Sequence, residues 1–553
     1  MKRSHVLVAL CALIVVFATG SVATAAYHHA GEADAPNFLL AYPNMAGTKL
    51  DSCTLCHTGG SYISGTKTTT LGSCQWCHYK YGYDKSGDIT ATLNLYGKDY
   101  LAQGRNVAAF KTIEALDSDG DSFTNIVEIN AVRYPGDATD DPTKVVAPFR
   151  IFTKAQLQAM PQHTQFMLMN TTKSGDYYAT YSGVVMQDLL SRAGITANAT
   201  RITVYAADGF SQGHPLEDSS SNTGSAYGPF VNGTYPSAAY YYDTTADKAV
   251  SGSSGWVDYS SPGTAGRKNG DPITNTDGLR YLLALQADGK DLVPGVLDST
   301  NKLSSSSEGP FRTITPQKVV GPPDQASTAT NQNVIWPYVA SADHNAGFAS
   351  KCATIIKVEP LPAGTTDINV LESGWNYIDQ AKIVIYGALA GPEIISPTSG
   401  KTNVAARGLT LVWGKISDTD PAAPVTYTVE LSKDQLAWTP LTTLVASAAE
   451  PKRTLFAGAG NILLFGFVGL LGLGLPKRKR KIMGIFLLVL ATGVLINSCS
   501  SSNNSTPAAT TPTTSLSAAV PQTLDANTTY YWRVTADGPN SHATSVSSFT
   551  TGS

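Results

Sequence analysis

The pattern of apolar and polar positions divides the chain into segments of different structure. Residues 27–148 show no long apolar periodicity, which predicts a small, loop-rich domain. Residues 149–388 alternate short amphipathic helices with strands, which predicts an α+β domain. Residues 389–450 and 517–553 contain strands with alternating apolar side chains, which predicts the two halves of a β-sandwich. The sequence therefore predicts a multidomain protein.

Specific elements of the α+β domain can be placed from local signals. Thr153 is a suitable N-cap for a helix over residues 152–157, and residues 183–190 open a second amphipathic helix. Runs of apolar and β-branched residues predict strands over residues 202–206, 282–286 and 353–358.

A strongly apolar interruption separates the two halves of the sandwich. Residues 455–475 are long enough to span a bilayer, residues 477–481 are all basic, and residues 482–498 form a second, shorter apolar run. Two such runs joined by a basic turn predict a transmembrane helical hairpin over 455–498 with its turn in the cytoplasm. Residues 500–516 then form a flexible tether.

Two processing signals are alternative interpretations of the same interruption. Basic residues, an apolar run and Cys499 resemble a lipoprotein signal. Residues 455–481, an apolar run followed by a basic cluster, resemble a C-terminal sorting signal. All three interpretations predict attachment to a membrane or cell surface.

The N-terminus predicts export. Lys2 and Arg3 precede an apolar run over residues 6–17, and small residues at 23–26 offer a cleavage site. This pattern is typical of a secretory signal peptide over residues 1–26, and an uncleaved anchor is the alternative. We therefore expect an exported protein on the periplasmic or cell-surface side of a bacterial membrane.

Composition narrows the possible partners. The 553 residues are 42% hydrophobic and 15% charged, with a formal net charge of -3. No basic stripe with interleaved aromatic residues is present, so we expect no nucleic-acid partner. Outside the motifs described next, the cysteines are Cys11, Cys352 and Cys499, and they supply no disulfide framework.

Two Cys-x-x-Cys-His motifs supply the most specific chemistry. They comprise Cys53, Cys56 and His57, and Cys74, Cys77 and His78. Two intervening residues bring both sulfurs to one side of a helical turn, where thioether bonds to one haem can form. The histidine that follows would be the proximal iron ligand. A zinc site, a thioredoxin-like pair or short disulfides would not need that histidine, so we expect two covalent haem c groups.

The distal iron ligands are less clearly indicated. His28 and His29 are the nearest histidines outside the motifs, and Met45 is a weaker candidate. The alternative is that both histidines are solvated residues of a flexible N-terminus.

An acidic loop ends the predicted haem domain. Asp117, Asp119, Asp121, Asn125 and Glu128 occupy positions one, three, five, nine and twelve of a calcium-binding loop. The segment resembles the calcium loops of dockerin and thrombospondin type 3 repeats. It departs from the EF-hand pattern because Ser122 stands where glycine usually makes the turn and Gly120 comes early. We expect a structural Ca²⁺ ion, with an acidic solvated turn as the alternative.

Short motifs in the middle domain resemble those of the sulfite oxidase family. They lie at residues 183–190, 204–211, 283–294 and 308–312. The resemblance implies a molybdopterin-binding fold, but the cysteine that binds molybdenum in the family is missing where it is expected. The only cysteine of this domain, Cys352, comes late in the chain. We therefore expect the fold without molybdopterin.

Isolated histidines in the middle domain are weaker candidates for chemistry. They are His163, His214 and His344, and His214 is the best placed because it follows a predicted turn. The C-terminal sandwich, with Trp413 on its central strand and Trp532 on a late one, resembles fibronectin type III domains. That resemblance implies a spacer or adhesive module.

The sequence as a whole favours a membrane-attached dihaem cytochrome c that exchanges electrons with a redox partner protein or other cytochromes. Electron transfer is favoured over substrate conversion, because no catalytic residues are indicated. Two alternatives are a molybdenum-dependent oxidoreductase that passes substrate electrons to its haems, and a surface adhesion protein with structural haems.

Overall fold

The computed structural model describes most of the predicted domains. The described residues are 33–51, 54–57, 61–64, 67–70, 93–169, 177–207, 211–217, 230–233, 235, 239–241, 272–295, 308–316, 326–327, 332–333, 345–369, 374–446 and 515–553. The predicted signal peptide over 1–26, the hairpin over 455–498 and most of the tether lie outside them. Within the described residues, no helix is both long enough and apolar enough to cross a membrane.

The first domain is a cluster of short helices around an aromatic core. Its helices are α1 (Asp34–Ala41), α2 (Thr54–His57), α3 (Leu95–Ala102), α4 (Val107–Thr112) and α5 (Asn125–Asn130), with a 3-10 turn at Pro43–Met45 and a hairpin of β1 (Ser61–Ser64) and β2 (Lys67–Thr70). Phe38, Tyr96 and Phe110 are at most 1% exposed and lie in one apolar cluster. The domain thus has a protein core in addition to any contribution from haem.

Asparagine side chains start two of these helices. Asn94 Oδ1 accepts a hydrogen bond from the Gly97 N–H at 2.8 Å, and Asn106 Oδ1 accepts one from the Ala109 N–H at 3.0 Å. Each cap satisfies a backbone donor that has no partner within its helix.

The middle region is built mainly of strands. Its strands are β3 (Val145–Val146), β4 (Phe149–Thr153), β5 (His163–Met169), β6 (Tyr177–Val185), β7 (Arg201–Ala206), β8 (Ser211–Pro215), β9 (Ala239–Tyr241), β10 (Pro272–Thr274), β11 (Leu282–Ala287), β12 (Lys290–Asp291), β13 (Arg312–Ile314), β14 (Ala326–Ser327), β15 (Gln332–Asn333), β16 (Ala353–Glu359), β17 (Thr365–Thr366) and β18 (Lys382–Gly387). Its helices are α6 (Lys154–Gln158), α7 (Met186–Ala193) and α8 (Gly374–Asp379), with a 3-10 turn at Asn345–Phe348. Sheet dominates over helix, so β-rich is the accurate description of this region.

The local predictions for the middle region are mostly confirmed. Thr153 caps α6 through a capping box with Gln156, and the three predicted strands are β7, β11 and β16. The predicted start of the second helix at residue 183 is wrong. Gly183 belongs to β6, where a Cβ atom would lie 2.1 Å from the Leu283 carbonyl oxygen of β11, and the helix begins only at Met186. Tight packing against β11 therefore keeps residues 183–185 in β6, although the helical pattern of the sequence begins at residue 183.

The C-terminal region is a β-sandwich assembled from both sides of the interruption. Its strands are β19 (Ile394–Ser396), β20 (Lys401–Val404), β21 (Thr410–Gly414), β22 (Val425–Ser432), β23 (Thr439–Ala446), β24 (Ser515–Ala519), β25 (Thr529–Gly538) and β26 (Ser541–Thr551). β24 pairs with β21, and β25 pairs with β22. Trp413 and Trp532 are fully buried in one core between the sheets. The predicted pairing of the two halves is thus present among the described strands.

The sandwich and the middle region share one sheet. Its order is β23-β22-β25-β26-β4-β18-β16-β7-β8, and β20 pairs with β26 as the tenth strand. The sheet therefore crosses the predicted boundary near residue 388. The crossing pairs Ser541 with Arg150 and His542 with Phe149. Thr419 Oγ1 also donates to the Ile151 carbonyl oxygen at 2.8 Å. Hydrogen bonds therefore join the two predicted domains along the edge of β4 that does not pair with β18.

A buried ion pair within the first domain contacts the middle region through hydrogen bonds. The Lys49 ammonium lies 2.5 Å from an Asp140 carboxylate oxygen and donates to Thr366 Oγ1 at 3.1 Å. Lys49 is fully buried, and its N–H donates to the Asn369 carbonyl oxygen at 2.7 Å. Strands β3 and β17 pair in parallel beside this contact.

The register of the sandwich generates a prediction about the interruption. Ala446 lies opposite Val425, and Ser515 lies opposite Gly414, so both ends of residues 447–514 are at the same end of the sandwich. We expect that replacing 447–514 with about ten Gly/Ser residues leaves the sandwich folded, since such a linker spans roughly 17 Å. Tryptophan fluorescence and thermal melting of the purified variant would check this.

Truncation after Ala446 is the matched control. It removes β24, β25 and β26, so β21 loses its partner β24 and β22 loses its partner β25. We expect this chain to aggregate. A truncated chain as stable as the linker variant would contradict the inter-half pairing.

Candidate functional site

The first Cys-x-x-Cys-His motif lies at the start of the helical domain. Cys56 and His57 are consecutive residues of α2, and His57 is buried. Cys53, the second motif with Cys74, Cys77 and His78, and the candidate ligands His28 and His29 lie outside the described residues. Of the first predicted haem site, the structure therefore describes Cys56 and His57 but not Cys53.

Helix α3 fixes the turn that carries Cys56. Asn94 Nδ2 donates to the Leu55 carbonyl oxygen at 2.9 Å, and the Asn94 N–H donates to the Cys56 carbonyl oxygen at 2.8 Å. Gly97 packs so closely that a Cβ atom there would lie 2.6 Å from the Cys56 carbonyl oxygen. Glycine is required at this helix-helix contact because any side chain would force α2 and α3 apart.

An aromatic cluster adjoins the same turn. Tyr100 stacks on Phe110 with ring centroids 3.9 Å apart, and Tyr96 lies parallel to Phe110 at 6.2 Å. Tyr96 is fully buried, and its hydroxyl has no hydrogen-bond partner among the described residues. Burial raises the pKa of Tyr96 well above its ordinary value, with the nearby Cys56 adding to the rise. The hydroxyl therefore stays protonated and remains a hydrogen-bond donor.

These residues fit a covalent haem at the first motif. The thiol of Cys56 and the imidazole of His57 are the groups that haem c attachment needs. The surrounding aromatic and apolar side chains supply a low-dielectric wall. The Tyr96 hydroxyl, which has no hydrogen-bond partner among the described residues, could donate a hydrogen bond to a haem carboxylate.

The acidic loop brings three carboxylates together. Asp117, Asp119 and Asp121 each offer one oxygen, and these oxygens lie within 4.8 Å of one another. Asp117 already accepts hydrogen bonds from the Gly120 and Ser122 N–H groups at 2.7 and 2.9 Å. Asp119 Oδ2 and Asp121 Oδ2 are buried and have no hydrogen-bond partner among the described residues.

Glu128 approaches the same cluster from helix α5. It is fully buried, and neither of its carboxylate oxygens has a hydrogen-bond partner among the described residues. Burial raises the pKa of Glu128 to about 9, with the charges of Asp119 and Asp121 adding to the rise. Burial and Asp121 likewise raise the pKa of Asp119 to about 6. Burial and mutual repulsion therefore disfavour the charged carboxylates, and Glu128 stays protonated at neutral pH without a cation.

The remaining predicted loop residues have structural roles. Asn125 Oδ1 accepts from the Ser118 N–H at 3.2 Å, and Asn125 Nδ2 donates to the Ile113 carbonyl oxygen at 2.7 Å. Asn125 thus closes the loop through its amide, and because its oxygen has a second lone pair, the predicted ligand role stays a prediction. Ser122 has a φ of 85°, the left-handed conformation usually left to glycine, so the expected sharp turn is present despite the substitution.

The weaker candidates of the middle region lie apart from these sites. Cys352 is buried, with a left-handed φ of 51° and its N–H donated to the Glu308 carbonyl oxygen. His163 Nε2 is 3.1 Å from the Gly278 carbonyl oxygen, and the buried His214 ring meets Tyr281 edge-on at 4.9 Å. His344 lies outside the described residues. None of these placements forms a metal-ligand cluster among the residues that the structure describes.

Sequence reasoning missed several residues that the fold makes important. Tertiary packing alone brings Asn94, Tyr96 and Gly97 to α2. The sequence does contain one signal, because an asparagine directly before an apolar segment is a typical helix N-cap. Arg312 lies in the 308–312 motif, but its environment depends on tertiary packing. Its guanidinium is buried and donates to the hydroxyls of Tyr177 and Tyr181 and to Glu308.

Comparison with models of known protein families gives no match to this sequence, and comparison with curated proteins gives none either.

The Asn94 contacts generate a prediction with a matched control. Asn94→Ala removes a helix cap and the buried bond to α2, and we expect a loss of about 2–3 kcal/mol in stability together with less covalent haem. Asn106→Ala removes only a cap on α4 and should cost about 1 kcal/mol without affecting haem content. Denaturant unfolding and mass spectrometry of the two variants would measure both effects. Equal haem content in the two variants would contradict a role for Asn94 in holding the attachment turn.

Proposed function

We propose that the chain is an exported, membrane-attached dihaem cytochrome c that transfers electrons. The observation that carries the proposal is the placement of Cys56 and His57 on one helical turn, fixed by Asn94 and Gly97 and bordered by a buried aromatic cluster. This is the environment that a covalently attached redox group requires, because packing around haem tunes its potential through burial and hydrogen bonding.

In the proposed function the chain's own residues divide the work. Cys53 and Cys56 hold the first haem covalently, and His57 binds its iron. Cys74, Cys77 and His78 do the same for the second, and only residues 58–73 separate the two motifs. Bound haem supplies a one-electron couple. The Tyr96 hydroxyl, which has no hydrogen-bond partner among the described residues, would donate a hydrogen bond to the bound group, and the aromatic cluster would exclude water from it.

The other regions support this activity by attachment and docking. The apolar interruption, whether a hairpin or a processed signal, attaches the protein to a membrane. The shared sheet then makes the sandwich and the middle region move together, so attachment at the sandwich also positions the middle region. A redox partner protein or another cytochrome is the expected electron donor or acceptor.

Cysteine substitutions test the cofactor content directly. In a host that attaches haem c, we expect two covalent haems in the wild-type chain and one in each double variant, Cys53→Ala/Cys56→Ala and Cys74→Ala/Cys77→Ala. Cys352→Ala is the matched control and should keep two, because Cys352 lies in the middle region between β13 and β16. Intact-protein mass spectrometry gives the count. A wild-type chain without covalent haem would overturn the proposal.

A redox titration with metal analysis separates electron transfer from the alternative functions. Reversible oxidation and reduction of the haem spectrum, with iron but no stoichiometric molybdenum, is the expected result. Stoichiometric molybdenum would favour the oxidoreductase, and haems that do not change oxidation state at physiological potentials would favour a structural role.

A further inference from the structure

The acidic loop carries an inference that goes beyond electron transfer. We propose that Asp117, Asp119, Asp121 and Glu128 bind one Ca²⁺ ion, and that this ion stabilises the attachment of the first domain to the middle region.

Unpaired buried oxygens are the first argument for a cation. Four carboxylate oxygens, from Asp119, Asp121 and Glu128, are buried without a hydrogen-bond partner among the described residues. An isolated buried carboxylate costs several kcal/mol, and several of them side by side add mutual repulsion. A divalent cation supplies the missing charge and accepts all of these oxygens as ligands. Glu128 is decisive, because it comes from helix α5 and not from the acidic turn, and is fully buried.

The chemistry of the ligands selects calcium. The described cluster consists of the carboxylates of Asp117, Asp119 and Asp121, and Glu128, which interacts with Asp119 and Asp121, adds a fourth hard oxygen donor. Ca²⁺ accepts six to eight oxygens in flexible geometry, including a bidentate glutamate, whereas Mg²⁺ demands a near-ideal octahedron and keeps several waters. Both oxygens of Glu128 lack other partners, which suits bidentate binding to Ca²⁺.

Helix α5 connects the proposed ion to the domain interface. The Glu128 carbonyl oxygen accepts from the Arg133 N–H at 2.8 Å. The Arg133 guanidinium donates to the Lys144 carbonyl oxygen at 2.6 Å and lies 3.7 Å from Asp140, which pairs with Lys49 against the middle region. An ion bound to Glu128 would therefore also hold the C-terminal end of α5 in place. Arg133 follows this end and makes the buried contact with Asp140.

Calcium titration of the purified holoprotein tests the site. We expect saturating CaCl₂ to raise the melting temperature of the first domain by roughly 5–10 °C over chelator-treated protein at a hundredfold excess over Kd. Glu128→Gln should abolish that rise while melting no lower than wild type in chelator, because the amide replaces a buried carboxyl group that has no hydrogen-bond partner among the described residues. Glu114→Gln is the matched control, since Glu114 bonds Tyr42 and Lys111 outside the cluster, and should respond like wild type.

Two results would overturn the calcium site. One is a calcium-dependent rise in melting temperature that persists in Glu128→Gln, and the other is an equal rise when MgCl₂ replaces CaCl₂. If circular dichroism shows that Glu128→Gln does not fold, Asp119→Asn takes its place, and an unchanged calcium response in that variant would overturn the site as well.

Limited trypsin digestion tests the effect on the interface separately. Cleavage after Lys144 should slow at least severalfold when calcium is added, because Arg133 holds that backbone in place. Cleavage after the exposed Lys415 in the sandwich is the internal control and should not change. Calcium binding with no change at Lys144 would overturn the proposed link to the interface and leave only a local site.

Discussion

The cost of burying a charge without a partner is the constraint on which this structure most depends. Lys49 and Asp140 satisfy it by pairing with each other at the junction of the first domain and the middle region. Removing either partner would leave a buried charge uncompensated, which is far more costly than losing a surface ion pair. Thr366 of the middle region contacts both charged groups, because it accepts from the Lys49 ammonium and donates to the Asp140 carboxylate. Sliding the middle region would take this hydroxyl away from the buried pair, so the pair favours a single arrangement of the junction.

The same constraint distinguishes the two candidate sites. Around Cys56 the described structure is apolar and aromatic, and it includes the neutral Tyr96 hydroxyl without a hydrogen-bond partner, which suits a large organic cofactor. In the acidic loop several carboxylates are buried without partners, which suits a small cation. Both sites are buried, yet they suit different ligands. The site near Cys56 has an unpaired hydrogen-bond donor, whereas the acidic loop has unpaired carboxylate oxygens.

A shared sheet makes the body of the protein less modular than its sequence pattern. Middle region and sandwich were predicted as separate domains, yet β26 pairs with β4 and places them in one ten-stranded sheet. Arg150 reinforces the junction by donating to the carbonyl oxygens of His542 and Ala390. A sandwich joined in this way is an extension of the middle region and not a flexible spacer.

The sequence alone determined the features that depend on local spacing. Runs of apolar and β-branched residues identified strands such as β7 and β16, a threonine identified the start of α6, and fixed intervals identified the two Cys-x-x-Cys-His motifs and the acidic loop. Only the tertiary structure decided which distant groups meet. Strand packing against β11 kept Gly183 out of the predicted helix, and the folding of α5 brought Glu128 to the aspartates while Asn125 turned its amide to the loop backbone. Local spacing sets which backbone shape a segment can adopt. Whether a buried group has a partner depends on atoms far apart in the chain.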